Sequence, residues 1–277
     1  MTESTPTAAA VSPPAGPTYL KVERRAGGVV LVTLAHPEQR NAMSTPMTES
    51  WAALMAELAG DRDVRCVVVT GEGEAFSSGG DLSWIGAEPE ATVDALRARM
   101  LAFYRSWLSI RRLEVPTIAA INGAAIGAGL ALALACDLRY AADDAKLAVP
   151  FTALGLHAGM ATTWTLPEVA GLAVAREMLL TGRVVTGAEA VALGLVNGAV
   201  PRPAVLEHAL DVAASVAAKA PIATRLTTVA LRGGGPAGFD AALQWEALAQ
   251  PITMATRDLH EGLAAQREHR PPRFTGA

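Results

Sequence analysis

Three short segments hold most of the residues whose types and spacing could do chemistry. Residues 35–43 (AHPEQRNAM) lie between a predicted strand and a predicted helix, residues 75–82 (AFSSGGDL) follow a predicted strand, and residues 121–129 (INGAAIGAG) lead from a strand into a helix. Glycine at such a turn lets backbone N–H groups face a ligand oxygen, because no side chain stands in the way. The segments therefore predict ligand contacts made by the backbone.

The third segment has a second interpretation. Gly123, Gly127 and Gly129 give the spacing G-x-x-x-G-x-G, which resembles the dinucleotide loop of short-chain dehydrogenases. That loop should open the chain, and here it follows more than a hundred residues. Those enzymes also use Tyr-x-x-x-Lys, and no lysine stands four residues after any of the three tyrosines. The dehydrogenase interpretation is therefore disfavoured.

Composition excludes several classes of protein. The chain has 277 residues and a net charge of −4, which disfavours a nucleic-acid-binding role. Two cysteines, Cys66 and Cys136, are too few for a disulfide framework or a Cys-rich metal site, and both lie in apolar runs typical of buried structural thiols. The most apolar stretch, residues 116–136, is interrupted by Asn122 and glycines, which argues against a membrane span. We expect a cytoplasmic protein without a metal or a membrane partner.

The elements that must position the three segments alternate along the chain. Residues 1–18 are rich in Pro, Ala, Ser and Thr and predict a disordered tail. Apolar runs predict strands, and 3.6-residue periodicity predicts helices, in repeated β-β-α order; after about residue 160 the pattern is helical almost throughout. The main predicted strands are residues 20–24, 29–34, 66–70, 117–121, 137–141 and 147–149, and the main predicted helices begin near Ser44, Val93 and Gly127.

Taken together and in this order, the segments resemble the crotonase superfamily, the enoyl-CoA hydratase/isomerase family. The likeness runs from about residue 19 to 270 and includes LAHPEQRNAMS, AFSSGGDL, AAINGAAIGAGLALALACDLRYAA and LTGRVVTGAEAVALGLVNGAV. The resemblance implies an α/β fold. It consists of a stacked ββα superhelix over residues 19–202, which binds acyl-CoA, and a helical oligomerisation region over residues 203–277. It also implies a homotrimer or a dimer of trimers, with coenzyme A present only as part of the substrate and no separate cofactor.

The resemblance assigns roles to individual residues. The two backbone N–H groups that form the family's oxyanion hole fall on Gly80 and Ala128. Arg40, Ala42 and Ser78 fall where the family lines the CoA moiety. An enolate or tetrahedral oxyanion needs fixed donors, and loss of one costs about 2.7–4 kcal/mol in a comparable site.

The positions of the family's catalytic acids are empty. The two glutamates of the hydratases fall on Ala131 and Phe151, and a third acidic position, used by dienoyl isomerases and aryl-CoA dehalogenases, falls on Gly159. None of these side chains can transfer a proton. His157 is the nearest group with a suitable ordinary pKa, although it could equally cap the following helix.

Other side chains near these segments remain open to two interpretations. Asp81 follows the second segment and is a helix cap or a substrate contact. Trp84, Phe151 and Trp164 wall an apolar acyl pocket or belong to the core. His36 contacts CoA or lies on the surface.

Three functions follow from this pattern. The first is a lyase or isomerase acting on acyl-CoA, as in fatty acid metabolism, with non-standard acid/base groups. The second is a non-catalytic acyl-CoA-binding homologue, because all three acid positions are empty. The third is a CoA-thioester hydrolase or decarboxylase, in which the oxyanion hole supplies most of the catalysis.

Overall fold

Strands and helices alternate through the first two-thirds of the chain. The computed structural model describes residues 19–81, 83, 90–234 and 238–277. The predicted tail (residues 1–18) and Trp84 lie outside the described residues. The strands are β1 (Leu20–Arg25), β2 (Val29–Leu34), β3 (Cys66–Gly71), β4 (Ala75–Ser77), β5 (Thr117–Ile121), β6 (Ala124–Ile126), β7 (Leu138–Ala142), β8 (Lys146–Ala148), β9 (Val185–Thr186) and β10 (Gly198–Val200).

The helices become longer and more frequent after β8. They are α1 (Thr45–Gly60), α2 (Val93–Trp107), α3 (Ala128–Ala135), α4 (Thr162–Thr181), α5 (Gly187–Ala192), α6 (Val205–Ala217), α7 (Pro221–Val229), α8 (Phe239–Met254) and α9 (Arg257–Arg267). Short 3-10 turns occupy Ala26–Gly28, Pro37–Gln39, Leu108–Arg112, Thr152–Leu154 and Arg202–Ala204, and a π turn occupies Ala230–Gly234. No helix among the described residues is long and apolar enough to cross a membrane.

The strands form two sheets. The first has the order β1-β2-β3-β5-β7-β10, and the second has the order β4-β6-β8-β9. β1 and β2 form the predicted antiparallel hairpin, while β2, β3, β5, β7 and β10 run parallel to one another. Each of the pairs β3/β4, β5/β6 and β7/β8 gives one strand to each sheet. The stacked ββα arrangement implied by the resemblance is therefore confirmed.

Helix α1 forms as predicted, but its first turn differs in one detail. The spacing of its apolar residues predicts one face, and that face is buried at Met47, Trp51, Leu54, Met55 and Leu58. Ser44 occupies the N-cap position, yet its hydroxyl makes no capping bond and has no partner among the described residues. The Ser44 carbonyl instead accepts bonds from the N–H (2.9 Å) and hydroxyl (2.8 Å) of Thr48.

Helix α2 is anchored only at its C-terminal end. Phe103 and Trp107 are buried, whereas Val93, at the start of the predicted apolar stripe, is 83% exposed. The Trp107 indole stacks on Trp51 with centroids 4.9 Å apart and donates to Thr48 Oγ1 at 2.9 Å. This packing fixes the last turns of α2 against α1.

The core lies between the first sheet and the helices. Cys66 and Cys136 are buried in it, and burial raises the pKa of each thiol to about 12, which confirms the prediction of buried thiols. Every residue of α3 is buried, so its small side chains allow close packing.

Two of the four helices that the structure describes at the helical end of the chain, α6 and α8, differ in how deeply they are buried. α6 packs against β3, β5 and β7 through Val205, Ala209, Ala213 and Ala217, which recur every four residues. α8 has no buried residue; its large exposed side chains include Phe239, Leu243, Leu248, Ile252 and Met254.

Candidate active site

The second glycine-rich segment lies against the third. Gly79 is buried, with φ +95°, a conformation that L side chains rarely adopt. A Cβ at this position would lie 2.6 Å from the Ile126 carbonyl oxygen and 3.1 Å from the Ala128 nitrogen. Only glycine therefore allows the two segments to meet at this distance.

The third segment places the start of α3 beside that contact. Gly127 precedes the helix with φ 56° and ψ −116°, and its N–H donates to the Ala148 carbonyl at 2.8 Å. A Cβ on Gly129 would lie 2.3 Å from the Ser77 carbonyl oxygen. Ala128 is the first residue of α3, where backbone N–H groups have no partner inside the helix and carry partial positive charge.

The first segment is hydrogen-bonded to the second. Met43 N–H donates to the Gly79 carbonyl at 2.8 Å, and Met43 forms a parallel bridge with Gly80. Ser78 N–H donates to the Arg40 carbonyl at 2.9 Å. The predicted CoA-lining residues Arg40, Ala42 and Ser78 are thereby brought close to the predicted oxyanion donors.

A buried asparagine that was not predicted holds the first segment in shape. Asn41 and Arg40 are both left-handed, with φ 55° and 50°. Asn41 Nδ2 donates to the Ala75 carbonyl at 2.9 Å and to the Glu72 carbonyl at 3.0 Å, and Oδ1 accepts from His36 N–H at 2.9 Å. The tolerance of asparagine for left-handed backbone is the only signal by which the sequence could have indicated it.

Two backbone donors remain available where these segments meet. Within the described ranges of the chain, neither Gly80 N–H nor Ala128 N–H has a hydrogen-bond partner. Gly79 packs directly against Ala128 and is bonded to Gly80, so the two donors belong to neighbouring backbone. An arrangement of this kind can bind an oxygen that carries negative charge.

The three positions at which the resemblance predicts acids carry no titratable side chain. Ala131 is fully buried on α3. The Phe151 ring lies 3.8 Å from where a Cβ on Gly127 would stand. Gly159 is buried against the Tyr104 hydroxyl, a residue to which sequence analysis gave no role.

His157 lies close in sequence to Gly159 but faces outward. Its side chain is exposed, and its Nδ1 is 2.7 Å from the carbonyl oxygen of Ala158. Its assignment as an acid or base stays a prediction.

Three further predicted residues are placed at the edge of the site or on the surface. Asp81 Oδ1 accepts bonds from Ser83 N–H at 2.9 Å and Ser83 Oγ at 2.6 Å, which suits a capping residue. His36 stacks on Tyr19 with centroids 4.0 Å apart. Trp164 is 69% exposed. The described residues include no cluster of side chains suited to hold a metal ion.

Comparison with known proteins identifies the class to which this fold and site belong. A model of the enoyl-CoA hydratase/isomerase family matches residues 24–277. Escherichia coli 2,3-dehydroadipyl-CoA hydratase is 32% identical over 249 residues, covering 90% of this chain and 95% of the relative. Human enoyl-CoA hydratase domain-containing protein 2, a mitochondrial protein, is 36% identical over 270 residues, covering 95% and 91%.

Solved structures give the same result. The crystal structure of an enoyl-CoA hydratase from Bacillus anthracis superposes with a TM-score of 0.88 at 32% identity, covering 94% of this chain and all of the other. The chain belongs to the enoyl-CoA hydratase/isomerase family.

Proposed function

We propose that this protein is an acyl-CoA-processing enzyme that binds the thioester oxygen between the N–H groups of Gly80 and Ala128 and works without the two usual glutamates. The observation that carries the proposal is the contact of Gly79 with Ala128, which brings two unpartnered backbone donors into neighbouring positions. Names of relatives such as 2,3-dehydroadipyl-CoA hydratase support the substrate class.

The chemistry follows from the charge that develops on the thioester oxygen. Forming an enolate or a tetrahedral intermediate moves negative charge onto that oxygen, and donors fixed in advance stabilise it without reorganisation. Ala128 is the first residue of α3, so the positive end of the helix dipole adds to the attraction of its N–H for the developing negative charge. Because both donors belong to the backbone, they persist whatever side chains stand nearby.

Coenzyme A would bind along the first two segments. Arg40 is exposed beside Ser78, and a guanidinium there can pair with a CoA phosphate. Ala42 and Ser78 are partly buried next to it and would line the same moiety. The substrate then supplies the coenzyme, and no separate cofactor is needed.

Turnover of a panel of CoA esters tests this function. Enoyl-, dienoyl- and β-keto-acyl-CoA esters are offered to the wild type and to His157→Ala, and product is followed by chromatography. Turnover of at least one ester supports the proposal. Equal rates for the two proteins would remove His157 from the mechanism, whereas a loss of about a hundredfold would make it the acid or base.

The second candidate function is acyl-CoA binding without chemistry. Ala131, Phe151 and Gly159 favour it, because none of them can exchange a proton with the acyl chain. Tight binding of an ester in calorimetry, with no product from any member of the panel, would establish binding alone. Release of free CoA or CO₂ would instead indicate the hydrolase or decarboxylase alternative.

Self-association is a further part of the proposal. The apolar side chains exposed on α8 and the family's usual assembly support a homotrimer, with a dimer of trimers as the larger form. The helical region at residues 203–277 would then be the oligomerisation region. Light scattering at micromolar concentration is expected to give a trimer or hexamer mass, and a monomer would refute this part.

A further inference from the structure

Tyr104 lies against Gly159, and the proposed function gives this tyrosine no role. Tyr104 lies on the anchored half of α2 and is partly buried. A Cβ on Gly159 would lie 2.5 Å from Tyr104 Oη and 3.0 Å from Cζ. Any side chain at residue 159 would therefore displace the phenol, and glycine leaves room for it.

The Tyr104 hydroxyl is a donor without an assigned acceptor. Among the residues described by the structure it has no hydrogen-bond partner, and its one aromatic contact is an edge contact with Phe103, with ring centroids 6.1 Å apart. Burial raises the pKa of the phenol, because the charged phenolate would be poorly solvated there. The group is therefore neutral near pH 7 and carries an O–H that can be donated.

One short segment connects this phenol to the proposed oxyanion donors. At its beginning, the Phe151 ring lies beside Gly127, which immediately precedes Ala128. The Phe151 carbonyl accepts from the N–H groups of Leu154 and Leu156, both at 3.0 Å, which folds the segment into a compact turn. At its end, the Gly159 carbonyl accepts from Thr162 N–H at 3.0 Å and Thr162 Oγ1 at 2.6 Å. One end of this segment therefore lies beside Gly127, which precedes Ala128, and the other end lies beside the phenol.

We propose that Tyr104 Oη donates a hydrogen bond to an oxygen atom on the acyl group, so that the preferred substrates are CoA esters whose acyl chain carries a keto or hydroxyl oxygen. This rests on the proposed function, because it requires the acyl group to extend from the amide pair toward Gly159. It adds the substrate class. A saturated chain of the same length offers the phenol no acceptor.

The energetics favour discrimination at this position. Burying the phenol beside a plain alkyl chain removes water from the O–H without replacing it, whereas a keto oxygen satisfies it. Enzyme sites that hydrogen-bond a substrate oxygen reject the analogue that lacks it for this reason. One neutral hydrogen bond corresponds to a preference of about tenfold.

Binding of a matched ester pair tests the inference without depending on turnover. Acetoacetyl-CoA and butyryl-CoA have four-carbon acyl chains and differ in the oxygen at the third carbon. Calorimetry is expected to show that the wild type binds acetoacetyl-CoA about tenfold more tightly, and that Tyr104→Phe binds both esters equally with butyryl-CoA affinity unchanged. The control variant Tyr140→Phe removes a hydroxyl from a partly buried tyrosine that packs against His208, and should keep the preference.

Gly159→Ala provides a second test of the same contact. In the wild-type background the new methyl group pushes the phenol aside and should abolish the preference. In the Tyr104→Phe background, where the hydroxyl is gone, it should change the ratio of the two affinities by less than about twofold. Circular dichroism and the thermal midpoint confirm that each variant is folded.

The outcomes separate this inference from the function on which it rests. If no CoA ester binds the wild type, the proposed function itself fails. If both esters bind with equal affinity, or if Tyr104→Phe retains the preference, the role of Tyr104 is overturned while acyl-CoA binding stands.

Discussion

The two halves of the candidate site consist of different chemical groups. One half is backbone: Gly79, Gly80, Gly127 and Ala128 meet where a Cβ on Gly79 would come within 2.6 Å of a carbonyl oxygen. The other half is side chains: Ala131 and Phe151 offer a methyl group and a ring, and Gly159 offers only space. The backbone half resists change because its geometry excludes side chains. The side-chain half carries no carboxylate at these three positions.

This difference separates binding from chemistry. In the proposed function the backbone half binds the thioester oxygen, whereas groups in the other half would have to move protons. One fold can support several reactions, and we expect the side-chain half to determine which one occurs here.

The largest effect is expected from Gly79→Ala, which breaks the backbone half. The added methyl group collides with the Ile126 carbonyl and crowds the Ala128 nitrogen, and the residue must also keep a φ of +95°. Displacing one donor should lower turnover by roughly 10²–10³-fold. Steady-state kinetics on the best ester of the panel measures it.

Gly27→Ala is the matched control for that variant. Gly27 also has a positive φ (75°), but nothing lies within 4 Å of its Cβ position, in the β1–β2 connection. The substitution should cost about 1 kcal/mol of stability from backbone strain and leave turnover unchanged. Equal losses of activity in the two variants would mean that Gly79 acts only through stability.

The second-largest effect is expected from variants that add carboxylates to the side-chain half. Ala131→Glu with Phe151→Glu places an acid at both positions to which the resemblance assigns the hydratases' glutamates. We expect hydration of crotonyl-CoA to rise by about a hundredfold over the wild type, while each single substitution gives little. Absorbance of the enoyl thioester follows the reaction. Unchanged hydration by a folded double variant that still binds the ester would show that the site differs in more than its acids.

Phe151→Ala changes the shape of the same half without adding charge. The ring lies near the start of α3, so its removal enlarges the space beside Gly127. Branched or aromatic acyl-CoA esters should bind several-fold more tightly, and short esters several-fold more weakly because they lose apolar contact. Dissociation constants across a size series measure this. An identical shift for every ester would place Phe151 outside the acyl pocket.

The smallest effect lies outside both halves and concerns pH. The guanidinium of Arg270 and the N–H of Arg273 bind Glu261, which lowers its pKa from its ordinary 4.5 to about 2. A lowered folded-state pKa stabilises the fold above pH 4.5, and this contribution is lost as the pH falls from 4.5 toward 2.

Thermal midpoints across that range test the Glu261 contact. The midpoint of Glu261→Gln should vary less with pH than that of the wild type, and Glu49→Gln, on exposed α1 surface, should follow the wild type. Identical pH profiles for all three proteins would contradict the prediction. Any change of turnover with pH must be corrected for the change of stability with pH that the Glu261 contact causes.

Much of the fold follows from short stretches of sequence. The alternation of apolar runs predicts β5 at its observed bounds, and the spacing of Met47, Trp51 and Leu54 predicts the buried face of α1. The apolar stripe along α2 predicts that Val93 is buried, but Val93 is exposed. Periodicity identifies an apolar face without showing whether another element covers it.

The sequence by itself determined where the backbone carries no side chain and that Ala131, Phe151 and Gly159 carry no acid. Both are local facts: a glycine lacks a Cβ wherever it lies, and Ala131 and Phe151 carry no titratable group in any fold. Only the tertiary structure decided that Gly79 meets Ala128 and that Tyr104 faces Gly159. Those contacts join residues distant in the chain, and they exist because stacked ββα turns bring successive loops to the same edge. No short window of sequence encodes that stacking.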